Sequence, residues 1–143
     1  VKARKLGIPE GPLWKKLQTA PSVRVGGKRI PSRLVVGPTR RGAKITYAVD
    51  TRPCGRIVRL AAGSDLLIHD SSFDESAADK AREYGHSTAV EAARVAKAGK
   101  VRKLALFHIS AMYENPKPLL VQARRFFPET VLSQDMATIY VAR

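Results

Sequence analysis

The chain has 143 residues, 44% of them hydrophobic, which is enough to bury one modest core and too few to suggest two independent domains. Twenty-six lysines and arginines against twelve aspartates and glutamates give a formal charge of +14, which favours a phosphate backbone as partner, with a solvated or ribosome-like basic face as the alternative. A single cysteine, Cys54, excludes an intrachain disulfide and a cysteine-rich zinc cluster and suits a reducing cytoplasm, and no apolar run approaches the roughly 20 residues of a membrane span.

Residues 1–41 are basic and rich in proline and glycine, with Lys2, Arg4, Lys5, Lys15, Lys16, Arg24, Lys28, Arg29, Arg33, Arg40 and Arg41, and only residues 13–18 read as a helical turn. No charged-then-apolar leader follows Val1, and a first residue other than methionine is expected of an internal cut. From residue 42 to residue 143 strands alternate with helices, the pattern of an α/β sandwich layer. A β-prone run over 44–49 ends at Asp50. The turn of Thr51, Arg52 and Pro53 leads to a helix over 55–62, stopped by Gly63. A buried strand over 66–68 is followed by His69 and Asp70, and a helix over 74–84 by Gly85. The next helix starts at Thr88, which forms a capping box with Glu91, and ends at Gly99. Its Ala89, Ala92, Ala93 and Ala96 make a small-residue stripe for close packing on a sheet. A third strand over 104–107 precedes His108, a helix covers 118–126, and strands over 130–132 and 138–141 close the sheet.

The chemistry lies in positions. Asp50, His69 and His108 each follow a predicted strand and His86 precedes a helix, so all three histidines of the chain fall where α/β folds gather ligands, at the carboxyl ends of strands. Any one histidine alone reads as structural; the set points to a site. Catalytic zinc takes imidazole nitrogen and carboxylate oxygen with one position left for water. Asp50 and His108 supply one of each, fewer than the three protein ligands such an ion usually takes, so the chain holds part of a site.

LGIPEGPLWKKLQ from Leu6, VDTRPC from Val49, LLIHDSSFDE from Leu66, YGHST from Tyr84 and FHISAMY from Phe107 occur together and in order, and the set resembles RNase Z, the endoribonuclease of the metallo-β-lactamase superfamily that trims tRNA 3′ ends. The similarity runs from about Leu6 to the carboxyl terminus. The resemblance implies the carboxyl-terminal half of an αββα sandwich, with residues 1–41 following the tRNA-binding arm. It implies that Asp50 bridges two zinc ions, that His108 ligates one of them, and that His86 is the catalytic histidine at the scissile phosphate. His69, Asp70, Ser87 and Thr88 would adjoin these residues. Ala48 and Val49 stand where the family commonly has Ser and Gly, and Asp70, Ser71 and Ser72 replace Glu, Ala and Thr.

The family's HxHxDH motif, in its amino-terminal half, is absent from this sequence, so that half is an expected partner and the dinuclear site is incomplete without it. Precursor tRNA is the expected substrate, with Lys2, Arg4, Lys5, Lys15 and Lys16 contacting its phosphates, and a homodimer is the family's usual assembly. Two other readings stay open at this point: a non-catalytic RNA-binding or scaffold derivative, and another metallo-β-lactamase-fold hydrolase.

Overall fold

The computed structural model describes residues 2–38 and 41–141; Val1, Thr39, Ala142, Arg143 and Arg40 of the basic segment lie outside them. The described residues divide into two units, Val1–Arg41 and Gly42–Arg143.

In the first unit, α1 (Lys2–Lys5) and α2 (Pro12–Thr19) precede an antiparallel hairpin of β1 (Ser22–Val25) and β2 (Lys28–Pro31) and a 3₁₀ turn at Ser32–Leu34. The hairpin was not foreseen from the sequence. Its two-residue loop is Gly26–Gly27, both at positive φ (54° and 77°), which the favoured hairpin turns require and glycine adopts without strain. Val23, Val25 and Ile30 meet Ala3, Ile8, Leu13, Trp14, Leu17 and Val35 in a small apolar core, which leaves Ser22, Arg24 and Arg29 on the other face of the hairpin.

The second unit is built on a four-stranded, wholly parallel sheet in the order β3 (Ile45–Ala48), β4 (Leu66–Asp70), β5 (Leu104–Phe107), β6 (Thr130–Leu132). Parallel neighbours need crossovers, and α3 (Gly55–Ala61), α5 (Ala89–Ala98) and α6 (Lys117–Arg124) supply them. Strands added in one direction through right-handed crossovers put these helices on one face, where α5 meets both α3 and α6. The Ala89, Ala92, Ala93 and Ala96 stripe is wholly buried there, and the Thr88 and Glu91 capping box forms in full. The other face carries Ile45, Tyr47, Ile68 and Phe107 by strand alternation. Ile45 and Tyr47 are 55% and 60% exposed, while Ile68 and Phe107 are half-buried, so this face is apolar and open along its β3 edge among the described residues.

Three expectations change. β4 runs two residues beyond 68, so His69 and Asp70 belong to the strand instead of following it. The expected 74–84 helix is a 3₁₀ turn, Glu75–Ala77, capped by Asp74, followed by α4 (Ala78–Glu83). Residues 138–141 form no strand, their β-branched and aromatic side chains finding no ladder partner. Gly99 ends α5 as expected, at φ −75°, and the left-handed residue beside it is Lys100 at φ 50°. Gly99 is needed there for proximity, since a Cβ would stand 3.3 Å from the Val95 carbonyl oxygen and 3.5 Å from Ala61 Cβ.

Candidate metal centre

Asp50 follows β3 and His108 follows β5, both with backbones in the left-handed region, at φ 53° and 60°. For residues with a Cβ this conformation costs of order 1–3 kcal/mol, and such strain gathers where a site needs a side chain re-aimed. Here it turns a carboxylate and an imidazole toward the carboxyl edge of the sheet. Val49 lies outside the positive-φ residues, so a β-branched side chain suits that position, and the left-handed angle falls on Asp50 itself.

Asp70, at the end of β4, is completely buried and collects the surrounding groups. Its Oδ2 accepts from the Thr51 N–H and from His86 Nδ1, both at 2.9 Å. Its Oδ1 accepts from the Ser72 N–H at 2.9 Å and the Ser72 hydroxyl at 2.8 Å, with the Ser87 N–H at 3.4 Å. Burial pushes the Asp70 carboxyl up, but the hydrogen bonds from His86, Thr51 and Ser72 outweigh it and hold the group below the ordinary carboxylate value. An ionised Asp70 only accepts, so His86 keeps its proton on Nδ1 and directs Nε2 chemistry away from this bond.

His86 Nδ1 is also 3.4 Å from Asp50 Oδ1, and the His86 and His108 rings lie 5.1 Å apart. His108 Nδ1 is 3.1 Å from the Ser72 hydroxyl and 3.8 Å from Asp70 Oδ2. With Nδ1 bonded to Ser72, Nε2 is the nitrogen left to ligate. Ligand atoms of Asp50, Asp70, His86 and His108 all lie within 4.8 Å of one another, close enough to hold a metal ion. Within that set Asp70 has its lone pairs filled by hydrogen bonds, whereas Asp50 and His108 are partly exposed and available.

The other expected residues fall as follows. His69 is buried outside the metal-capable group: its Nδ1 is 2.7 Å from the Asp70 carbonyl oxygen, Nε2 has no hydrogen-bond partner, and burial pushes its pKa down. Ser87 donates to the Thr51 carbonyl at 2.5 Å, and Thr88 caps α5 and donates to Glu75 at 2.9 Å. Lys2, Arg4, Lys5, Lys15 and Lys16 lie exposed on α1 and α2, in the other unit, and Arg4 is paired with Glu10.

Two features escaped the sequence reading. Asp70 is the hub of the cluster, where it was expected only to adjoin the site. Arg52 fixes the local frame: one guanidinium nitrogen donates to the His86 carbonyl at 2.6 Å and to Glu91 at 2.8 Å, and the other donates to Glu91 at 2.6 Å. This bidentate pair ties the Asp50 loop to the cap of α5. The nearest sequence signals were an arginine two residues after the candidate bridging aspartate and an acid already assigned to a capping box.

No protein-family model matches the chain. Ribonuclease Z of Methanothermobacter thermautotrophicus is 44% identical to it over 140 residues, which are 98% of this chain and 46% of that protein. Ribonuclease Z of Archaeoglobus fulgidus is 45% identical over 139 residues, 96% of this chain and 45% of that protein. The chain is a ribonuclease Z relative along nearly its whole length. It spans slightly under half the length of these curated relatives. A crystal structure of the metallo-β-lactamase fold protein YhfI from Bacillus subtilis superposes with a TM-score of 0.58 at 23% identity, over 63% of this chain and 36% of that one. The helix-backed parallel sheet is therefore part of a metallo-β-lactamase fold, and the donor cluster at its strand ends belongs to a ribonuclease Z relative.

Proposed function

We propose that the chain supplies the carboxyl-terminal part of the active site of a zinc-dependent endoribonuclease that removes the 3′ trailer of precursor tRNA. The observation that carries this reading is the convergence of Asp50, Asp70, His86 and His108 within 4.8 Å in a chain 44% identical to a ribonuclease Z. The donors fit a divalent cation: an accessible carboxylate and an imidazole whose other nitrogen is already hydrogen-bonded are the ligand types zinc takes. Asp50 and His108 would hold the metal, two ions in the complete enzyme, and bound zinc would supply Lewis acidity and neutralise charge on the phosphate.

His86 acts differently. Asp70 fixes its ring through Nδ1–H, and as an imidazolium, with a second proton at Nε2, it can pass that second proton to the departing 3′ oxygen as the P–O bond to that oxygen breaks and one to water oxygen forms. The tRNA then ends in a free 3′ hydroxyl. The exposed apolar edge at Ile45 and Tyr47, with the half-buried Phe107 against Tyr47, supports a covering partner, which we assign to the amino-terminal half of the fold with its further ligands. Lys2, Arg4, Lys5, Lys15 and Lys16 are assigned to tRNA phosphates, and the complete protein to a cytoplasmic homodimer.

Variants of the chain in its complete enzyme test the roles. Asp50→Ala is expected to release metal and abolish cleavage, and His108→Ala to lose part of the metal. His86→Ala should lower kcat by about 10²–10⁴-fold at unchanged metal content, as for one general acid. Full zinc content and turnover in Asp50→Ala would remove it from the site.

A further inference from the structure

Eleven of the first 41 residues are lysine or arginine, against the single carboxylate Glu10, which pairs with Arg4. Arg24 and Arg29 stand directly opposite each other in the β1–β2 register. Like charges placed opposite on one face of a hairpin destabilise it, so sequence and fold maintain here a repulsion that no acid of this unit relieves. Both side chains are exposed, on the face turned away from the Val23 and Ile30 core. Arg29 is oriented by a bond from its Nε to the Ser22 hydroxyl at 2.9 Å, which leaves its terminal nitrogens free to donate. A groove of about 360 Å³ opens beside them, lined by Lys16, Ser22, Val23, Arg24 and Arg29.

We propose that this groove is a phosphodiester seat, in which Arg24, Arg29 and Lys16 take backbone phosphates of an RNA. Guanidinium forks match phosphate oxygens, and a hydroxyl-braced arginine gives up less freedom on binding than a solvated one. An anion between Arg24 and Arg29 turns their repulsion into two attractions. The absence of carboxylates from the groove lining suits a polyanion. RNA as the occupant rests on the function proposed above; the anion seat rests on the hairpin alone.

The test uses the 143-residue chain, a labelled tRNA transcript carrying a 3′ trailer, and chelator to prevent cleavage. Arg24→Gln/Arg29→Gln should weaken binding and lower the slope of log affinity against log salt by roughly 0.7–0.9 for each lost contact. Arg56→Gln/Arg59→Gln on α3 removes the same charge and should change the slope less. The ligand-free melting temperature of the hairpin variant should equal or exceed the parent's, because a repulsion is gone. If that variant does not fold, Arg24→Gln alone, which spares the Arg29–Ser22 bond, should give half the slope change. Parallel plots for parent and hairpin variant, or equal losses in both double variants, overturn the seat. Inorganic phosphate should shift the Arg29 Nε–Hε resonance in either case. That shift without RNA binding, or binding to anionic vesicles in place of RNA, overturns RNA as the occupant and leaves the metal centre untouched.

Discussion

Replacing Asp70 by asparagine changes one buried oxygen into an amide nitrogen and tests whether this residue organises the site. The Ser72 N–H and hydroxyl both reach Oδ1, so the retained oxygen serves Ser72 and the new NH₂ faces Thr51 N–H and His86 Nδ1. His86 can adapt by moving its proton to Nε2 and accepting at Nδ1. The Thr51 N–H cannot adapt. One buried donor left unpaired costs about 1–3 kcal/mol, and loss of the charge-assisted bonds adds to it, for an expected destabilisation of about 2–4 kcal/mol. That is a large share of the roughly 5–15 kcal/mol that holds a typical domain. Denaturant unfolding of parent and variant measures the loss, and long-range ¹H–¹⁵N spectra of the histidines report the tautomer. In the parent, neutral His86 should carry its proton on Nδ1; in Asp70→Asn, on Nε2. A loss below about 0.5 kcal/mol, within the range of an ordinary surface substitution, together with an unchanged tautomer, would refute the hub role.

Arg52→Ala should cost about 1–3 kcal/mol, a partly exposed version of the loss on breaking a buried pair, and Arg52→Lys should recover only part because lysine cannot pair with Glu91 through two nitrogens; melting curves compare the three. Thr88→Ala should cost about 1 kcal/mol through the lost cap of α5, read in the same way. His69 is buried with its pKa pushed below the ordinary 6.5, so the unfolded chain binds the extra proton first. Its contribution to stability is therefore full above pH 6.5 and falls with pH below it, by up to about 1.4 kcal/mol per pH unit, and His69→Gln should lack that component in unfolding measured between about pH 7 and pH 5.

The strand ends that carry Asp50 and His108 were legible because β-prone runs stop there against a lone acid and a lone histidine. The capping box at Thr88 and the alanine stripe of α5 were legible because both are local patterns. β4 was cut short at residue 68 because His69 and Asp70 look like punctuation. A central strand can hold them when their polar atoms are paired from elsewhere, and the donors to Asp70 come from Thr51, Ser72, Ser87 and His86, spread over 36 residues of sequence. The hairpin was missed because Arg24, Lys28 and Arg29 dilute the alternation around its Gly26–Gly27 loop. The Arg52–Glu91 pair joins residues 39 apart and has no local signature.

Whether this chain completes a metal-dependent tRNA-processing site is decided by a chimaera in which it replaces the matching 45% of the Archaeoglobus fulgidus ribonuclease Z. With zinc, and a precursor tRNA bearing a 3′ trailer, the chimaera should release the trailer and leave a 3′ hydroxyl, and the same protein with Asp50→Ala should not. A folded chimaera that binds no metal, or that binds it and leaves the trailer in place, would show that the Asp50, His86 and His108 cluster is not part of such a site.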